Sequence, residues 1–174
     1  MSNCLKHLLP VAAVAAVVAF AMDVKVDYDH KTDIANYHTY CWLKAKASDS
    51  LWEDRIMQAV DRQLAARGLA KVPSGGDASV AAVGTTRQEP TFTTFYNGMP
   101  GWHWRGWPGY STTTVDYDRV GTLVVDLFDT GTKKLVWRGL ASDTLSSKPA
   151  KNDKKLDEAT EKMLKDFPPK SRGL

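Results

Sequence analysis

The stretch from Phe92 to Tyr110 concentrates side chains able to grip something outside the fold. Phe92, Phe95, Tyr96, Trp102, Trp104, Trp107 and Tyr110 alternate there with Gly98, Gly101, Gly106 and Gly109. Pro90 stands at its edge, and Pro100 and Pro108 lie inside. Glycine and proline rule out a regular helix, while so many rings are costly to leave in water. Three tryptophans within six positions can form a flat platform. Aromatic faces stack on sugar C–H surfaces and on cations such as arginine or quaternary amines. Tyr96, Trp102, His103, Trp104, Arg105, Trp107 and Tyr110 are therefore the candidate ligand-binding residues, with Arg105 adding a hydrogen-bond fork. Two other readings stay open. The rings fold back onto their own sheet, or they pack against a second copy, since Trp and Tyr are favoured interface anchors.

Catalytic patterns are scarce. His103 sits between Trp102 and Trp104, and a general base would need a carboxylate partner; a strand residue such as Asp126 is the candidate. Neither Gly-x-Ser-x-Gly nor a phosphate-binding glycine loop occurs, and Gly75-Gly76 is not followed by Lys-Ser or Lys-Thr. Asp27, Asp29, His30, Asp33 and His38 form a loose acidic-histidine group without the spacing or glycine of a calcium loop. His30 and His38 with Cys41 match no zinc spacing either. We expect no metal, no cofactor and no catalytic residue, and lean away from an enzyme.

The N-terminus supplies an address. Lys6 and His7 precede an apolar run from Leu8 through Phe20 that closes in Ala19-Phe20-Ala21. A basic start, a short apolar core and a small-x-small ending describe a secretory leader covering 1–21, removed before Met22. The run is well below the roughly 20 residues needed to cross a bilayer core. The expected location is the periplasm. A lipid-acceptor cysteine would follow the apolar core directly, and Met22 holds that place, so a lipid anchor is not expected. Cys4 leaves with the leader; Cys41 remains alone, read as a small buried hydrophobe because no adjacent cation lowers its pKa. The formal charge of +3 includes Lys6. That balance is too even for a nucleic-acid reader. The basic run from Lys148 to Lys155, broken by Pro149 and Asp153, reads as a solvated linker ahead of a helix.

The elements that must position these residues follow from periodicity. Val24, Val26 and Tyr28 alternate with charged residues as a half-buried strand, and Tyr37 to Leu43 is a second. Ser50 with Glu53 has capping-box spacing before the apolar face of Trp52, Ile56, Val60 and Leu64, and Gly68 ends that helix. Leu69 to Val72 and Ala78 to Val83 are short strands, followed by an aromatic-glycine insertion at about 88–114. Residues 121–129 and 134–141 flank Thr130-Gly131-Thr132 as a hairpin whose turn needs positive φ. Asn152 or Asp153 should cap a last helix carrying Leu156, Ala159 and Met163, with Phe167 on the same side, ending before Pro168-Pro169. The order β-β-α-β-β, insertion, β-β-α predicts an α+β fold: two layers, a largely antiparallel sheet with two helices on one face. Residues 22–174 are read as one domain.

At these strands the chain resembles the bacterial envelope family of domain-of-unknown-function 4136. The resemblance rests on Val26 to Asp29, Tyr37 to Leu43, Gly121 to Leu145 and Leu156 to Pro169. Its specific parts are Gly-Thr-Leu-Val-Val-Asp-Leu from 121, Leu-Val-Trp-Arg-Gly from 135, and Asp-Phe-Pro-Pro from 166. It implies a compact α+β domain in the cell envelope and carries no activity over. Members are often lipoproteins, from which Met22 departs. The expected function is a non-enzymatic periplasmic binding or scaffold domain whose aromatic loop meets a glycan, peptide or protein. The rivals are a structural subunit of an envelope assembly, in which the loop is a homo-oligomer contact, and an envelope hydrolase.

Overall fold

In a computed structural model, residues 22–96 and 111–169 are described. Among them, six strands form one open sheet: β1 (Asp23–Tyr28), β2 (Thr39–Lys46), β3 (Ala70–Lys71), β4 (Ala78–Tyr96), β5 (Ser111–Asp129) and β6 (Leu135–Thr144). Their spatial order is β1-β6-β5-β4-β2-β3. The pairs β1/β6, β6/β5 and β5/β4 are antiparallel, whereas β2 runs parallel to both β3 and β4. Parallel neighbours need a crossover. Helix α1 (Ser50–Ala65) supplies it between β2 and β3, and α2 (Pro149–Met163) follows β6. Both helices pack on one face, α1 against β2 and β4, α2 against β6 and β1. The α+β, largely antiparallel two-layer arrangement is the one the periodicity predicts.

The buried layer follows the two periodicities. From the sheet come Ala78, Val80 and Ala82 of β4 and Leu123, Val125 and Leu127 of β5, every second residue. From the helices come Ile56, Val60 and Leu64 of α1, and Ala159 and Met163 of α2. At the centre lies Trp137, 1% exposed, its ring edge-on to Phe167 with centroids 5.6 Å apart. Gly139 leaves the room it needs: a Cβ there would stand 2.5 Å from the Trp137 ring and 3.0 Å from Met163 Sδ. On the opposite face the neighbouring Arg138 makes a two-pronged ion pair with Asp126, directly across from it on β5, at 2.6 and 2.7 Å.

Local details differ from the sequence reading. The cap of α1 is Asp49, whose carboxylate accepts the Trp52 N–H at 3.0 Å; a charged acceptor suits the positive helix end better than the Ser50 hydroxyl. Glu53 turns back to Ala47 N instead. The second helix begins at Pro149, whose fixed φ suits a first turn, so the basic run is helix and not linker. Asn152, buried in that turn, braces the preceding loop by accepting from Ser146 N and donating to Ser146 O. Lys155 is held by Asp143 at 2.9 Å and by the Thr144 carbonyl. In the β5–β6 turn the positive φ, 61°, falls on Lys133, not on Gly131.

The largest difference concerns the insertion. β4 does not stop near Val83, and the ladder with β5 continues without a break from Ala78↔Asp129 to Tyr96↔Ser111. Much of what reads as an insertion at about 88–114 is therefore paired strand. Alternation is hidden there because Thr, Arg, Gln and Glu occupy both faces, so no apolar period of two marks it. Replacing Gly139 by Ala should overpack the Trp137 seat. We expect a loss of about 1–3 kcal/mol in urea unfolding, with a shifted tryptophan emission as the second readout.

Candidate functional site

The two ends of the β4–β5 hairpin differ in kind. At one end, β4, β5 and the start of β2 are locked by carboxylates. Asp129 Oδ1 accepts from Thr132 N at 2.6 Å and Thr132 Oγ1 at 2.7 Å, and Oδ2 accepts from Tyr37 Oη at 2.7 Å. These donors, the Thr132 amide foremost, hold its carboxyl down to about 2, and burial with this partner pushes the Tyr37 phenol well above its usual value. Asp77 likewise accepts from His38 N, Thr39 N and Thr39 Oγ1, which lower its carboxyl. Both carboxylates border a shallow cleft with Asn36 and Gly131, and their hydrogen bonds are spent on closing this end of the sheet. Gly76 is required beside it, because a Cβ there would lie 2.7 Å from the Tyr40 Cα.

A third carboxylate joins helix to sheet. Asp61 of α1 accepts from Tyr40 Oη and Trp42 Nε1, both at 2.7 Å, and pairs with Lys71 at 2.8 Å. Desolvation pushes Asp61 up, but Lys71, Trp42 and Tyr40 outweigh it and hold the carboxyl below its ordinary value. These are structural bonds. The same is true of Asp126, both of whose oxygens accept from Arg138.

The other end of the hairpin is an arm. β2 accompanies β4 only to Val83, and β6 accompanies β5 only as far as Val120. From Gln88↔Arg119 outward the two strands pair only with each other, with Leu145 N still donating to the Arg119 carbonyl at 2.6 Å at the root. One face of this ribbon continues the core face and carries the cross-strand pairs Pro90↔Tyr117 and Phe92↔Val115. Phe92 and Tyr117 are each 67% exposed and Val115 43%. The opposite face is polar, with Glu89↔Asp118 and Thr91↔Asp116, where Thr91 Oγ1 donates to Asp118. An isolated two-stranded ribbon is marginal in water.

At the root of the arm, between the N-terminal parts of α1 and α2, is an apolar notch of about 110 Å³. Gly84 and Gly121 form its floor and Trp52, Ile56, Leu145 and Leu156 its walls. Each glycine holds the notch open: a Cβ would lie 2.9 Å from Ile56 Cδ1 at Gly84, and 2.8 Å from Leu145 Cδ2 at Gly121. Sequence reasoning missed both ridge and notch. The signal for the ridge was Phe92, Val115 and Tyr117 at alternating positions across a polar background.

Of the sequence-derived binding residues, Tyr96 ends β4, opposite Ser111. Trp102, His103, Trp104, Arg105, Trp107 and Tyr110 lie outside the described residues. The acidic-histidine group disperses into local bonds. Asp29 accepts from Lys31 N and Thr32, Asp33 from Asn36 Nδ2, and His38 Nδ1 contacts the Asn36 carbonyl. His30 stacks edge-on to Tyr28. Cys41 is buried, as expected of a small hydrophobe, with Sγ 3.6 Å from Ser79 Oγ. That hydroxyl foremost, with the Gly76 and Gly75 backbone and the charge of Lys133, draws its thiol below the usual value against the effect of burial. Among the described residues no helix is long and apolar enough to cross a membrane.

An open sheet backed by two helices, with its central hairpin extended into an arm, defines a small α+β domain. The sequence matches the family described as Domain of unknown function (DUF4136) over residues 24–169, and the chain belongs to that family. No protein of curated function matches it. Solved structures that share the fold include the following two. A PDZ domain protein from Parabacteroides distasonis is 13% identical, with a TM-score of 0.57 over 87% of this chain. The chain spans only 36% of that protein. The PelC dodecamer from Paraburkholderia phytofirmans is also 13% identical, with a TM-score of 0.52 over 83% of this chain and 95% of that one.

The sign of the acid response follows from Asp129. Its folded value, about 2, lies below the usual 3.8, so its contribution is complete above about pH 4 and is lost as pH falls toward 2. Asp129→Asn should therefore flatten the drop in stability between pH 5 and about pH 2, read by urea titration at each pH. Asp61→Ala leaves the Tyr40 hydroxyl and Trp42 indole N–H without their acceptor. It should cost about 3 kcal/mol at pH 7, with Asp61→Asn costing less because its carbonyl still accepts.

Proposed function

We propose that this chain is a non-enzymatic binding or scaffold domain of the cell envelope that meets its partner through the β4–β5 arm. The observation that carries the reading is the arm itself. A ladder unbroken to Tyr96↔Ser111 holds the ends of the tryptophan-rich segment together, beyond the last residues paired to the rest of the sheet. In this reading Tyr96, Trp102, His103, Trp104, Arg105, Trp107 and Tyr110 form the contact, with a glycan, peptide or protein as ligand. Residues 1–21 are a cleaved leader, Met22 begins a periplasmic chain without a lipid anchor, and export places such a ligand within reach. The committed bonds of Asp126, Asp129 and Asp77 support a scaffold rather than a hydrolase. PelC, of similar fold, is a dodecamer, which favours a second form of the same reading in which the arm joins copies of one assembly.

The test compares wild type with a variant carrying Trp102→Ala, Trp104→Ala and Trp107→Ala. The reading expects retention of a partner from envelope extract by wild type alone, with far-ultraviolet circular dichroism unchanged. Equal retention by both proteins would remove the tryptophans from the contact. Degradation of envelope polymers by the pure protein, stopped by His103→Ala, would overturn the non-enzyme assignment.

A further inference from the structure

We propose that the outer edge of β5, from Thr113 to Tyr117, takes on an extended segment of another protein as an added antiparallel strand, in which basic side chains alternate with apolar ones. The proposal names a partner class for the arm and rests on the reading of the arm as a contact surface.

Backbone direction comes first. Leu145 N donates to the Arg119 carbonyl at 2.6 Å, so the hydrogen-bonding groups of Arg119 point toward the β6 side. A strand repeats its directions every second residue, and the ladder of β5 with β4 has no bulge. The N–H and C=O groups of Tyr117, Val115 and Thr113 therefore point the same way. β6 ends at Thr144, and its lane beside the arm is left open. Among the described residues nothing takes up these groups outward of Arg119. A row of unpaired N–H and C=O groups is a template for a further strand.

The two edges of the arm are not alike. Pro90 lies directly across from Tyr117. Residues opposed in an antiparallel ladder exchange both bonds or neither. Because Tyr117 points away from β4, the ring nitrogen of Pro90 points away from β5, onto the far edge of β4. Proline there removes a donor and obstructs a neighbour, which blunts that edge. β1, the other long edge of the sheet, is guarded by Asp23, Lys25 and Asp27 on one face. The arm portion of β5 contains no proline, and Thr113, Thr114, Val115 and Tyr117 are strand formers. One edge is left receptive.

Side chains then state the chemistry of the occupant. On one face of this edge stand Tyr117, 67% exposed, and Val115, 43% exposed, with Phe92 behind them. On the other face stand Asp116 and Asp118, backed by Thr91 and Glu89. Glu89 is paired with Arg87. Among the described residues neither aspartate pairs with a cation. Opposite charges across neighbouring strands stabilise and like charges destabilise. The added strand is therefore favoured with Lys or Arg beside Asp116 and Asp118 and with apolar residues beside Val115 and Tyr117. The same rule disfavours a second copy: β5 laid antiparallel on another β5, tyrosine to tyrosine, sets aspartate against aspartate.

Fluorescence anisotropy tests this with a fluorescein-labelled peptide, Lys-Val-Lys-Tyr-Lys-Val-Lys, titrated with the purified protein. In the added strand the apolar residues lie across from Thr113, Val115 and Tyr117 and exchange the bonds, while the lysine N–H groups point away. N-methylation of the valines and the tyrosine should weaken binding about tenfold or more, and N-methylation of the inner lysines should change it less than about twofold. Both analogues keep the charge of the parent. A peptide with Glu in place of Lys should not bind. Val115→Pro gives β5 the block that Pro90 gives β4 and should weaken binding about tenfold. A thermal melt establishes that this variant is folded. If it is not, Asp116→Lys with Asp118→Lys replaces it and should transfer binding to the Glu peptide. No binding of the unmodified peptide overturns the proposal. Equal binding of the valine-methylated and parent peptides also overturns it, because charge alone would then be at work. The triple tryptophan variant should bind the peptide as wild type does, and a loss there moves the contact to the tryptophans and overturns the edge. Were the peptide to fail while wild type alone retained an envelope partner, the arm reading would stand and the edge proposal would fall.

Discussion

Trp137 needs a place to lie flat, and the rest of the fold is arranged around that need. Its indole occupies the space that a side chain at 139 would take, and Phe167, Met163 and the flanking strands close over it. Because the residue at 139 must be glycine, β6 has no side chain of its own on the core face at that point. The ring fills the gap. The three most specific parts of the family resemblance meet here: Asp126 of the first pairs with Arg138 of the second on the outer face, and Phe167 of the third packs on Trp137 beneath. Close packing makes such a seat intolerant of even one added methyl.

Around that centre, charge is used to join elements and leaves little for chemistry. Asp61 ties α1 to β2 and β3, Asp129 ties the β5–β6 turn to Tyr37, and Asp77 caps the start of β2. Each carboxylate meets several donors, which lower its pKa and make it a poor general base. Arg55 pairs with Asp153 and Arg62 with Asp157, holding α1 beside α2. Among the described residues these bonds close one end of the sheet.

The open end is where the molecule departs from economy. Apolar side chains that would stabilise a core are placed on a ribbon without a third strand, and at its root two glycines leave room for Ile56 and Leu145. A small domain gains little by itself from the first feature. It makes sense when the covering surface comes from outside the chain.

Helices, the core strands and the α+β class were legible in the sequence because one-sided burial imposes a period of 3.6 or 2 that survives in the residue types. Ile56, Val60 and Leu64 show the first, Leu123, Val125 and Leu127 the second. The aromatic segment was legible as composition, since rings beside glycine are conspicuous without any partner. The arm was not, because a ribbon with both faces in water has no strong alternation to read, and Thr and charged residues interrupt Phe92, Val115 and Tyr117. Nor was the use of Asp49 over Ser50, which turns on which oxygen reaches the Trp52 amide. Local order and the inventory of rings are therefore properties of the sequence alone. Which residues share a face and how far β4 runs depend on register between segments far apart in the chain. Only the folded sheet decides that register.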